Sequence, residues 1–159
     1  MSGSAIIVII IAVVIVAVIA LGAKKEKSTL TSSGKIHEQE PDFYKKEHTF
    51  TTSASFDQIV DNLKGAGLAE SKISMQADRQ HQTVAFDGGA MFPYRAALQY
   101  KGEQNGKKVF LFSFLTWKER NGVPDYMNMN ILLTAVEKSI YAADPSALVS
   151  SVRMQIRTK

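Results

Sequence analysis

His37, His48 and His81 have the widest chemical range of any side chains in this sequence, as metal ligands or as proton carriers near neutral pH. Their spacing supports neither role. None stands in an H-E-x-x-H pair, which sets two imidazoles one helical turn apart on one ion, and no cysteine is present to complete a zinc set. Nucleophilic catalysis lacks its G-x-S-x-G elbow, and phosphate binding lacks both the Walker lysine loop and G-x-G-x-x-G. Gly88-Gly89 reads as a turn pair, and Asp125 as the start of a helix rather than a base. Asp57 and Asp61, four apart on a helix, face solvent. The densest polar cluster is Asp78, Arg79, His81 and Asp87, at strand ends where ordinary turn composition accounts for it. The sequence therefore nominates no catalytic residue, no metal ligand and no cofactor.

What it does specify is a place to work. Ala5 to Leu21 reads AIIVIIIAVVIVAVIAL, without a charge, a polar side chain or a proline. As a helix this stretch is about 26 Å long, close to the hydrocarbon thickness of a bilayer. The run of Ile and Val favours strand in water, but lipid demands internal backbone pairing and selects helix. Gly22 and Ala23 extend the span before Lys24 and Lys25 end it. A cleaved signal, with small residues at Ala20-Leu21-Gly22, is the alternative. It fits less well, because residues 1–4 carry no Lys or Arg and the apolar run exceeds the usual signal core. Residues 5–23 thus read as a single-pass transmembrane anchor in the cell membrane. Lys24, Lys25 and Lys27 follow the span, which places the C-terminal domain on the cytoplasmic side. The small residues of the span never fall four apart, so it holds no small-xxx-small seam for helix pairing.

Residues 24–41 are polar and aperiodic and read as a flexible linker. Residues 42–159 are long enough for one domain with its own core. The formal net charge of +4 is mild and partly due to the membrane-flanking lysines. No basic stripe interleaved with aromatics is present, so no nucleic-acid partner is expected.

Within the domain, Lys46 to Thr52 fits a first strand. Ser55-Phe56-Asp57-Gln58 matches a capping box, and Phe56, Ile59, Val60 and Leu63 form one helical stripe behind it. Gly65 and Gly67 are expected to stop that helix in the left-handed conformation. Ile73, Met75 and Ala77 alternate with polar residues, parity breaks around Arg79-Gln80-His81, and Val84 and Phe86 restart it after a turn or bulge. Tyr94, Ala96, Leu98 and Tyr100 alternate on the next strand. Asn105-Gly106 then turns the chain into a strand from Lys107 to Trp117. Gly122-Val123-Pro124-Asp125 opens a second helix with Tyr126, Met129, Leu133, Val136 and Ile140 on its apolar face, ended by Asp144-Pro145. SVRMQIRTK at the C-terminus reads as a final strand, after a short helical turn over residues 145–149.

The strand from Lys107 to Trp117 is apolar on both sides. Strict alternation sends Val109, Leu111, Leu115 and Trp117 one way and Phe110, Phe112 and Phe114 the other. A sheet with one wet face should not read this way. Either this is a central strand whose second face is covered by loops or chain ends, or that face meets a subunit, an apolar ligand or lipid. The candidate ligand or interface residues are Phe110, Phe112, Phe114 and Trp117, with Tyr94 and Tyr100 beside them.

The order β-α-β-β-β-β-α, with a final β, implies an α+β domain: a curled antiparallel sheet with helices packed on one face. From Lys46 to Ala143 this order resembles the helix-grip or TATA-binding-protein-like arrangement, a likeness of topology that rests on no sequence motif. Such folds host many functions and assign none. Two expectations follow. The first is a membrane-anchored, non-enzymatic interaction or assembly domain, with a second copy or another protein as partner. The second is a binding module for an apolar ligand or lipid held between the sheet and the second helix.

Overall fold

The computed structural model describes residues 30–31 and 34–154. The span expected over residues 5–23 lies outside them, as do residues 155–159 of the tail. Among the described residues no helix is long and apolar enough to cross a membrane. The chain divides after His37, and among the described residues the unit beginning at Glu38 contains every strand and two α-helices.

That unit is α+β. Its strands are β1 (Lys46–Thr52), β2 (Ser74–Asp78), β3 (Thr83–Gly88), β4 (Tyr94–Gln104), β5 (Lys107–Trp117) and β6 (Leu148–Arg153). Its helices are α1 (Phe56–Lys64), between β1 and β2, and α2 (Tyr126–Ala143), between β5 and β6. The sheet is open and antiparallel throughout, in the order β2-β3-β4-β5-β1-β6. The first strand thus returns beside β5, and β2 and β6 form the edges.

Helix α1 follows its sequence signature closely. The Ser55 hydroxyl accepts from the Gln58 amide at 3.2 Å, and Gln58 Oε1 accepts from the Ser55 amide at 2.8 Å, which closes the capping box. Phe56, Ile59, Val60 and Leu63 are all buried. The exit differs from expectation: Gly65 stays right-handed at φ −80°, and the left-handed turn waits for Gly67 at φ 69°. Helix α2 starts one residue after its cap, Asp125, whose carboxylate accepts from the Asn128 amide at 3.3 Å; Pro124 lies just ahead of the helix rather than in its first turn.

Alternate residues of the strands meet both helices in one core. Phe50 of β1, Val84 and Phe86 of β3, Ala96 and Leu98 of β4 and the three phenylalanines of β5 pack with Leu63 of α1 and with Met129, Leu132, Leu133, Val136 and Ile140 of α2. The β4–β5 turn is the expected one. Asn105 and Gly106 both have positive φ, 53° and 73°, which matches the right-handed twist of the strands they join.

The C-terminal strand begins earlier than expected, at Leu148 rather than Ser151. Asp144 explains the shift. Its carboxylate accepts from the Ser146 hydroxyl (2.6 Å), the Ser53 amide (2.7 Å), the Thr52 hydroxyl (2.9 Å) and the Ser146 amide (3.0 Å). These bonds hold the carboxyl below the usual carboxylate range, the Ser146 hydroxyl contributing most. They fold residues 144–147 into a tight turn against the end of β1, so the chain re-enters the sheet at once.

Candidate functional site

Of the residues singled out from sequence, Phe110, Phe112 and Phe114 lie at the centre of the core, at most 1% exposed. Phe112 and Phe114 meet edge to face at 5.1 Å, and Phe114 meets Tyr94 at 5.5 Å. Tyr94 is buried as well. Its hydroxyl donates to Asn128 Oδ1 at 2.7 Å, and burial pushes the phenol well above its ordinary range. Tyr100 is half-buried beside Phe110, ring centroids 5.6 Å apart. The space between the sheet and α2 is filled by Met129, Leu132, Leu133, Val136 and Ile140, all fully buried.

Trp117 corrects the strict alternation expected for β5. Ala96 pairs with Phe114 but Arg95 pairs with Thr116, so Leu115 is an extra residue with no partner on β4. One inserted residue reverses the parity of everything after it. Trp117 therefore stands opposite Tyr94 on the core side, while Leu115 stays outside, 56% exposed. The indole packs edge to face on Tyr44 at 5.4 Å, and its N–H donates to Glu119 at 2.9 Å. Tyr94 and Trp117, with Pro93 and Lys118, border an open groove of about 570 Å³.

Phe43 and Tyr44 are the members of this aromatic group that sequence reasoning passed over. They sit in a short 3-10 turn before β1, both buried, with Phe43 reaching Tyr126 at 5.0 Å and Phe114 at 5.9 Å. Gln39 and Glu40, assigned by sequence to the linker, are also engaged. The Gln39 amide donates to Glu137 at 3.3 Å, and the Tyr126 hydroxyl donates to the Gln39 carbonyl at 3.2 Å. The signal available was the pair of adjacent aromatics directly after Pro41-Asp42, at the border of an otherwise polar stretch.

The sheet face away from the helices divides into two halves. Across β2, β3 and β4 it is polar. Arg95 pairs with Asp87 at 2.8 Å, and Gln76, Asp78 and Thr83 border an open groove of about 610 Å³. The His81 ring bonds Asp78 at 2.7 Å and Arg79 bonds Asp57 at 2.9 Å, so the polar cluster is spent on its own turn and on α1. Among the described residues no group of His, Cys, Asp and Glu could hold a metal ion.

Across β5, β1 and β6 the same face is apolar and hydroxylic. Opposed residues of antiparallel strands share a face, so the register Val109–Thr51–Leu148 runs as one row and Leu111–Thr49–Ser150 as the next. Val109 and Leu111 are half-buried, while Leu148 and Val152 are 66% and 65% exposed. All six residues of β6 are exposed. Sequence periodicity gives the apolar second side of β5 but not the outer strand that extends it.

Besides the backbone ladder to β1, a side-chain bond ties β6 to buried His48. Its buried ring donates from Nε2 to the Phe43 carbonyl at 3.0 Å, which leaves Nδ1 to accept from the Ser151 hydroxyl at 2.9 Å. Burial lowers the imidazole pKa from its ordinary 6.5, against an opposing pull from the Phe43 carbonyl and Glu137. A neutral, doubly bonded histidine of this kind orients a strand; it has no open valence for substrate. No protein-family model matches the chain, and no curated protein matches it either.

Proposed function

We propose that this chain is a single-pass, membrane-anchored, non-enzymatic interaction or assembly domain. Residues 5–23 hold it in the membrane and the lysines that follow keep the folded unit on the cytoplasmic side. The observation that carries the interaction reading is the apolar half of the sheet face away from the helices, where Leu115, Leu148 and Val152 are each more than half exposed next to half-buried Val109 and Leu111. Apolar groups gathered on a face rimmed by polar residues favour association, because bringing them together releases the water they order. The polar clusters, in contrast, are already bonded internally.

The test has two parts. Full-length protein should stay in the pellet on carbonate extraction of membranes, and mature protein starting near Ala23 would overturn the anchor. A photo-crosslinking residue at Leu115 should then give protein adducts in membranes, while one at Lys64, on the exposed side of α1, should not. Equal labelling at both positions would overturn the interaction surface. Lipid adducts alone at Leu115 would replace it with contact to the bilayer or an apolar ligand.

A further inference from the structure

We infer that β6 is the edge through which a second copy of this chain docks, extending the sheet across a two-fold axis at Ser150. The inference rests on the interaction reading above and names its partner.

The two edges of the sheet differ in kind. An edge strand presents unpaired backbone donors and acceptors, and natural proteins blunt it with charge, proline or shortness. Strand β2 is blunted: it has five residues, ends on Asp78, and runs into a polar turn that carries Arg79. Strand β6, LVSSVR, carries no charge before its last residue and no proline, and it is exposed along its whole length.

Its backbone is oriented for pairing. The Met154 amide bonds the Lys45 carbonyl at 2.9 Å, so residues of the same parity, Leu148, Ser150 and Val152, turn their amides and carbonyls toward β1. Those of Val149, Ser151 and Arg153 point outward, away from the sheet. Among the described residues these three are the free rungs of the ladder.

The side chains then select the register. A continuous sheet must place like faces together, so only residues of equal parity oppose each other. Centring the axis on Ser150 sets Leu148 against Val152 twice on the apolar face, Val149 against Ser151 on the other, and Arg153 against Ala147. No like charges meet, and the outward-pointing amides and carbonyls of Val149 and Ser151 bond each other on both sides of the axis, while the Ala147 amide stays on the Asp144 carbonyl. Centring it on Ser151 sets Ser150 against Val152 and Val149 against Arg153, pairing apolar with polar. Pairing about Ser150 ends before Pro145, which has no amide proton to give. One strand pair is a small interface, and membrane anchoring supplies the high effective concentration it needs.

The chain has no cysteine, so a single introduced one reports its own neighbour. In the Ser150 register the two Ser150 residues form a non-hydrogen-bonded pair with Cα atoms about 4.5 Å apart, within disulfide reach. Full-length Ser150→Cys in membranes, under mild oxidation, should give a species of twice the chain mass. Its yield should exceed that of Ser151→Cys and of Gln76→Cys by at least about tenfold, because those positions lie beyond disulfide reach. Adding Val152→Lys to Ser150→Cys should reduce the yield to the Gln76→Cys level, with far-UV circular dichroism unchanged because Val152 is exposed. Equal yields at all three positions, or no dimer from Ser150→Cys, would overturn the pairing. An adduct of Ser150→Cys with a different protein would also overturn it, yet leave the interaction reading standing; loss of Leu115 adducts would remove that reading.

Discussion

Trp117 stands opposite Tyr94 in the sheet, and it does so because Leu115 has no partner. Had β5 alternated strictly, Leu115 and Trp117 would share the outer face and their truncation would be equally mild. The bulge separates them. Trp117→Ala should cost about 2 kcal/mol, less than the usual 3–5 for a fully buried aromatic because the indole is half-exposed. Leu115→Ala should stay within about 0.5 kcal/mol, as for an ordinary surface change. Denaturant midpoints of the two variants decide it, and equal losses would show that the bulge is misplaced.

The three phenylalanines of β5 should behave as core and not as a lining. Phe112→Ala should destabilise the domain by about 3–5 kcal/mol through lost burial and the cavity left behind. Phe112→Lys should abolish folding, since the ring touches Phe86 and Phe114 and offers no partner for an ammonium group. A folded Phe112→Lys protein with native melting behaviour would mean that the space beneath α2 admits solvent or ligand.

Helix α1 separates the contribution of a cap from that of a core stripe. Ser55→Ala should cost about 1 kcal/mol, and Phe56→Ala or Leu63→Ala about 2–5 kcal/mol. Arg79 bonds Asp57 on the exposed side of this helix, and Asp57→Asn should change stability by less than about 1 kcal/mol, the usual range of an exposed ion pair. If the core and cap variants melt alike, the stripe is not what holds the helix down.

How far the sequence reaches follows from how local each cause is. The capping box, the Asn105-Gly106 turn and the strand Lys46–Thr52 are set by neighbouring residues, and all stand where the spacing puts them. The start of β6 was not legible, because it depends on Asp144 gathering bonds from Thr52 and Ser53, which are 92 and 91 residues earlier in the chain. The side of Trp117 was not legible either, since a bulge is a property of two strands in register and alternation describes only one. The surface question was half answered. Apolar residues on both sides of β5 pose the question of what meets the second face. That β6 extends this face, with its outward rungs unpaired among the described residues, follows only from the strand order.

The last expectation concerns His48, whose ring joins the Phe43 carbonyl to Ser151 on β6. Burial is the main cause of its lowered pKa, so the folded protein takes up this proton at lower pH than the unfolded chain, whose value is near 6.5. Between the two values the unfolded state binds more protons, and stability falls as pH drops. The loss therefore begins near pH 6.5, grows down to the folded value, and is constant below it. Asp78 and Asp144 are held below the usual carboxylate range, chiefly by His81 and by the Ser146 hydroxyl, so their losses come at more acid pH. Protonation also turns Nδ1 from acceptor to donor, which reverses the Ser151 bond and loosens the hold on β6. Denaturant midpoints measured from pH 7.5 to 5 should decline in the native protein and flatten in His48→Gln, which keeps an amide donor for the Phe43 carbonyl but has no proton to gain. An identical decline in both would place the titrating group elsewhere, and an identical plateau would show that His48 is not buried as a neutral ring.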